Sequence, residues 1–98
     1  MSQFGKILRE RREQKQLLLR HVAAKMDMDT ALLSKIERGE RNARREQVDL
    51  LASILDLNAQ DLLTRWLADR VYELIEDEEV GMNALMEAAT TYKKSQLP

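Results

Sequence analysis

Residues 22–39 read VAAKMDMDTALLSKIERG, and apolar side chains recur in them at the three- and four-residue spacing of helices, with one interruption. Val22, Ala23 and Met26 fall on one face of a short helix. Asp27-Met28-Asp29 forms a tight turn, and Leu33 and Ile36 fall on the buried face of a second helix. Burying those two leaves Thr30, Ala31, Leu32, Ser34 and Lys35 pointing outward as one surface. Asp29 suits the N-cap of the second helix, where its carboxylate accepts a backbone N–H from Ala31 or Leu32 and is favoured by the helix dipole. Gly39 follows Ile36-Glu37-Arg38 where a helix C-terminal glycine belongs, so this helix is expected to stop near Arg38.

Outward from this segment the chain continues in helices. A helix from about Gln3 to Lys15 gathers Phe4, Ile7 and Leu8 on one face and ends at Gln16 or Leu17; the next opens at Leu18 or Leu19. A helix from about Glu46 to Leu55 buries Val48, Leu51, Ala52 and Leu55. Asp56-Leu57-Asn58 is a turn whose Asn58 caps a helix over Ala59 to Leu63. In TRWLADRVYELIEDEEV (64–80), Leu63, Trp66 or Leu67, Val71 and Leu74 continue one stripe, giving a sixth helix that is either separate or fused to the fifth. Beyond Gly81, a second stripe holds Met82, Leu85, Met86, Ala89 and Tyr92, and Lys93 to Pro98 are expected to fray. One Pro, three Gly and 44% apolar residues with only 4% aromatics specify an aliphatic, all-α protein.

The net charge of −1 conceals an asymmetry. Residues 1–46 carry 12 Lys/Arg against 7 Asp/Glu, a balance of +5, while residues 47–98 carry 4 against 10, a balance of −6. A basic half attracts phosphates and an acidic half is repelled by them, so the first half is the candidate nucleic-acid surface and the second should point away from it. Without cysteine no disulfide forms, which suits a reducing cytoplasm. The N-terminus runs into a helix with no apolar signal segment, and no stretch approaches the ~20 apolar residues of a membrane span, so a cytoplasmic protein without membrane contact is expected.

Ala23, Met28, Leu33, Arg12 and the block Ser34-Lys35-Ile36-Glu37-Arg38-Gly39 resemble the motif of the Cro/phage-repressor (XRE) helix-turn-helix family over about residues 4–63. The resemblance implies a five-helix, lambda-repressor-like DNA-binding domain over residues 1–63. One or two further helices over 64–94 would serve dimerisation, followed by a disordered tail over 95–98. It further implies that Thr30, Ala31, Leu32, Ser34 and Lys35 read base edges, with Lys35 donating to guanine and Ala31 and Leu32 meeting thymine methyls. Arg38, Arg41, Asn42, Arg44 and Arg45 would lie along the phosphates. Arg12 and Glu37 match a pair that often forms a buried ion pair between the first and third helices.

Two departures from the family pattern stand out. Leu18 and Leu19 occupy places where a capping Ser or Thr and a phosphate-binding Gln are usual, so packing must fix this helix start and Arg20 is the substitute phosphate contact. Asp27 stands where the family commonly has Gly, at a position wanting a left-handed backbone that Asp tolerates better than most residues.

Other chemistry has little to work with. The single His21 lies on a polar face and cannot build a metal site alone. The run Glu76-Asp77-Glu78-Glu79 lacks the ligand spacing and central Gly of a calcium loop and is expected to place negative charge in the first turn of the last helix. Met26, Met28, Met82 and Met86 are read as core or interface side chains. No nucleophile-base pair, metal cluster or phosphate-cradling Gly loop points to an enzyme, and no cofactor is implied.

The reading is a sequence-specific transcription regulator of bacterial or phage origin, a repressor or autoregulator similar to restriction-modification controllers or small phage repressors. It would bind a palindrome in double-stranded DNA as a homodimer, through Trp66, Leu67, Val71, Leu74, Leu85 and Met86. One alternative is an antitoxin-like module whose acidic C-terminal helices hold a partner protein. Another, a degenerate helix-turn-helix without DNA binding, is disfavoured by the retained arginines.

Overall fold

The computed structural model describes residues 2–98 and is all-helical. The helices are α1 (Gln3–Gln14), α2 (Leu19–Lys25), α3 (Thr30–Glu37), α4 (Arg45–Leu55), α5 (Ala59–Ile75) and α6 (Gly81–Ser95). The fifth and sixth helices read from the sequence are one continuous helix, α5, and α6 is the single helix beyond it. No break separates residues 63 and 64.

Local chemistry explains the ends. Ser2 caps α1 by accepting from Gly5 N–H at 2.9 Å, Asp29 caps α3 from Ala31 N–H at 2.9 Å, and Asn58 caps α5 from Asp61 N–H at 2.9 Å. The C-termini of α1 to α4 share one device. Each runs into a left-handed residue, namely Gln16 (φ 57°), Asp27 (φ 53°), Gly39 (φ 78°) and Asp56 (φ 54°). The next N–H then reaches back five residues: Leu17 to Arg12, Met28 to Ala23, Glu40 to Lys35 and Leu57 to Ala52, at 2.9–3.0 Å. This 6→1 closure satisfies carbonyls left free by the ending helix and reverses the chain in few residues.

Packing of α1 against α3, α4 and α5, of α2 against α3, and of α4 against α5 encloses one core. It contains Phe4, Leu8, Val22, Ala23, Met26, Leu33, Ile36, Val48, Leu51, Ala52, Leu55 and Leu62, all buried. Ala43, in the otherwise basic loop before α4, is buried too. Trp66 rests against the same core and donates its indole N–H to the Ala43 carbonyl at 2.8 Å, with the Arg70 guanidinium 4.9 Å above its ring. A residue read as part of a dimer surface thus already has an intramolecular seat.

After Trp66, α5 leaves the core. Leu67, Val71 and Leu74 are exposed, as are Met82, Leu85 and Met86 on α6, whose one buried residue is Gly81. The acidic run lies elsewhere than the sequence suggested: Glu76 caps the end of α5, Asp77–Glu79 form the connection, and the first turn of α6 carries no acidic residue. A Cβ on Gly81 would stand 2.7 Å from the Ile75 carbonyl. That close approach, and not the placing of charge at a helix start, sets where α6 begins.

Candidate nucleic-acid interface

The outward face of α3 is presented by a fixed scaffold. Leu33 and Ile36, 1% and 2% exposed, hold its inner side, and Asp29 holds its start. Its end is clamped from α1: Arg12 makes a bidentate contact with Glu37, Nε to Oε2 at 2.8 Å and Nη2 to Oε1 at 3.1 Å. Arg12 also donates to the Leu17 carbonyl at 2.9 Å. The hydrogen bond to Glu37 raises the Arg12 pKa despite the desolvation that lowers it. With the two side chains only 14% and 7% exposed, this pair is part of the core's polar edge. Gly5 makes it reachable, since a Cβ there would lie 2.4 Å from the Glu37 carbonyl oxygen and would push α1 away from α3.

On the outer side, Thr30, Ala31 and Lys35 are exposed, while Ser34 and Leu32 are half-buried. Ser34 Oγ accepts from Arg38 Nη1 at 3.0 Å, and Leu32 packs partly against the core. The five side chains expected to read bases therefore divide: three stand free, one hydroxyl is engaged by a neighbour, and one leucine is shared between surface and core.

Beside α3 lies the basic loop. Arg38 pairs with Glu40, Arg44 lies 3.4 Å from Glu46, and Asn42 donates to Glu73 of α5 at 3.3 Å. Among the described residues, Arg20, Lys35, Arg41 and Arg45 make no ion pair. A groove of about 370 Å³ connects the turn before α3 with the start of α4 and is lined by Asp29, Leu32, Arg41, Asn42, Arg44 and Gln47 among others. Gln47 accepts the Arg44 backbone N–H at 2.8 Å, so it completes the start of α4 where Arg44 offers no capping side chain. The start of α2 is handled similarly: Leu18 cannot cap, and His21 Nδ1 accepts the Leu18 N–H in a long bond of 3.4 Å. His21 has a local structural job that the sequence pattern did not suggest.

Two further contacts escaped the sequence reading. Asp69, midway along α5, accepts from Ser2 Oγ at 2.7 Å, Phe4 N–H at 2.9 Å and Gln3 N–H at 3.2 Å, placing a carboxylate at the positive end of α1. Arg11 donates to the Leu55 carbonyl at 2.8 Å and so binds the end of α4 to α1. Both join residues more than forty positions apart, which no local spacing signals. Among the described residues no three His, Cys, Asp or Glu are placed to hold a metal ion, and no helix is long and apolar enough to cross a membrane.

The model of the helix-turn-helix domain matches residues 3–66, a range that includes the two-helix unit, its exposed face and the basic loop beside it. This chain belongs to the helix-turn-helix domain family. The match covers well over half of the chain, and the family is one of DNA-binding regulatory domains. No curated protein and no solved structure matches the chain. The helix-turn-helix match ends at Trp66, the residue after which α5 departs from the core.

Proposed function

We propose that this helix-turn-helix protein is a sequence-specific transcription regulator of the XRE type, a bacterial or phage repressor or autoregulator acting in the cytoplasm. It binds a palindromic site in double-stranded DNA as a homodimer. The observation that carries the reading is the pairing of Lys35 and Thr30, exposed on a helix whose inner face and both ends are fixed, with the unpaired Arg41 and Arg45 on the adjoining loop. Fixed backbone with free donors is what base readout needs, because a donor that must first break an internal bond or order its own helix gives up discrimination. Lys35 and Thr30, with Ala31 beside them, are the base-reading set, and Leu32 and Ser34 border it. Arg20, Arg38, Arg41, Asn42, Arg44 and Arg45 follow the backbone, with Arg20, Arg41 and Arg45 the readiest because no carboxylate competes for them.

Fluorescence anisotropy on the duplex upstream of the protein's own gene, against a scrambled duplex at two salt concentrations, tests this. A preference of about 10³-fold or more is expected for the specific site. Lys35→Ala should lose about 10- to 100-fold on that duplex and little on the scrambled one. Arg41→Ala should weaken both alike and lower the salt slope by about one. Equal, weak binding to both duplexes by the unaltered protein would sink the reading.

A further inference from the structure

The C-terminal helix α6 is the part of the molecule least explained by its own chain. It has fifteen residues, touches only the end of α5 to any extent, and buries no side chain. An isolated helix of that length is marginal in water. The whole chain has the same character. Its accessible surface is 7343 Å², against about 5,800 Å² for a folded monomer of this size. Its radius of gyration is 15.5 Å, against about 12.5 Å for a compact chain of this length. The excess, about 1,500 Å² per copy, is surface that a compact monomer of this size would have buried, and it sets the upper bound on what a second copy can cover.

The distribution of charge selects the occupant. An acidic run, Glu76–Glu79, precedes α6, and Lys93 and Lys94 end it, with Met82, Leu85 and Met86 exposed between. Two such helices laid antiparallel bring each lysine pair beside the other copy's acidic run and put their methionines and leucines in register. That pairing is isologous, as a two-fold axis requires. Fifteen residues span about 22 Å, so the match holds at both ends at once.

We propose that the chain is a dimer of two copies joined antiparallel through α6, with Lys93 and Lys94 of each copy against the Glu76–Glu79 run of the other and Met82, Leu85 and Met86 between them. The Leu67, Val71 and Leu74 stripe of α5 flanks this seam. The proposal rests on the homodimer in the functional reading above and supplies its physical basis. Gly81, by allowing α6 to turn tightly against Ile75, sets the angle at which the helix is offered.

Sedimentation of the full chain without DNA tests it. The unaltered protein should run as a single species of twice the chain mass. Met86→Glu should run as a monomer while keeping the cooperative thermal unfolding of the N-terminal core. A charge reversal avoids any loss of apolar packing: Lys93→Glu with Lys94→Glu should weaken the dimer about 10-fold, since several exposed pairs turn repulsive together. Adding Glu78→Lys and Glu79→Lys to that chain should restore the dimer. A monomer at all attainable concentrations, or a charge swap that restores nothing, overturns the proposal. The DNA reading is judged separately: a monomer that still prefers the operator keeps that reading, and a dimer that binds no DNA loses it.

Discussion

Val48, Leu51, Ala52 and Leu55 of α4 and Met82, Leu85, Met86 and Ala89 of α6 follow the same spacing of three, four and seven residues. The first set is at most 2% exposed; in the second, Leu85 is 37% and Met82 is 66% exposed. Helical spacing shows that a helix has a face to bury and says nothing about what will cover it. α4 packs against α1 and α5, whereas α6 packs to any extent against α5 alone. The N-terminal two thirds is a core closed by its own chain, and the C-terminal third is an apolar surface still wanting a cover. α5 belongs to both: Leu62 and Trp66 pack on the core and Asp69 ties it to the start of α1, while its apolar Leu67, Val71 and Leu74 are bare.

The contrast can be broken from either side. The largest effect should come from Glu37→Ala, which leaves Arg12 charged and unpaired at the edge of the closed core. A loss of about 3 kcal/mol is expected, read by denaturant unfolding. Loss of DNA binding in that variant would report unfolding. A loss below about 0.5 kcal/mol would place the pair with ordinary surface ion pairs.

A smaller effect belongs to the joint between the two regions. Asp69→Ala removes the carboxylate that ties α5 to the start of α1, and should cost about 1 kcal/mol, the usual worth of a helix cap. Hydrogen exchange should show the gain in opening at Gln3 and Phe4 and not at the start of α3. An unchanged α1 would mean that Ser2 suffices as its cap.

The smallest effect concerns Asp56, whose carboxylate lies on the surface against Lys15. The hydrogen bond and charge of Lys15 hold its pKa below the ordinary 3.8. A lowered folded pKa means that this contribution is present above the unfolded value and is lost as pH falls below it. The stability difference between the native chain and Asp56→Asn, which keeps a residue tolerant of the left-handed backbone, should therefore be present at neutral pH and disappear in acid below 3.8. A difference that persists in acid would assign Asp56 a purely conformational role.

Much of this molecule was legible in one dimension because its determinants are local. Asp29, Asn58 and Gly39 act within a few residues of themselves, and the buried faces of α2, α3 and α4 follow from side chains one turn apart, so caps, turns and core stripes could be read directly. The left-handed ends at Gln16 and Asp56 were harder, since neither residue type requires that conformation. Ala43 carried one available signal, a lone apolar residue in a basic loop. The Arg12–Glu37 pair was reached through the family resemblance, not through any spacing.

Hydrogen bonding and side-chain periodicity act over one turn, so neighbours in sequence set helices α1 to α4, the inner side of each, and the basic surface around Lys35 and Arg41, while the continuity of α5 was left open. The meeting of distant helices settles that Asp69 finishes α1, that Arg11 closes α4, that Trp66 is seated on Ala43, and that Leu67, Val71, Leu74, Met82, Leu85 and Met86 are left uncovered. Each of these depends on which helices come within a few ångströms of one another in space, and a chain's local spacing carries no measure of that distance.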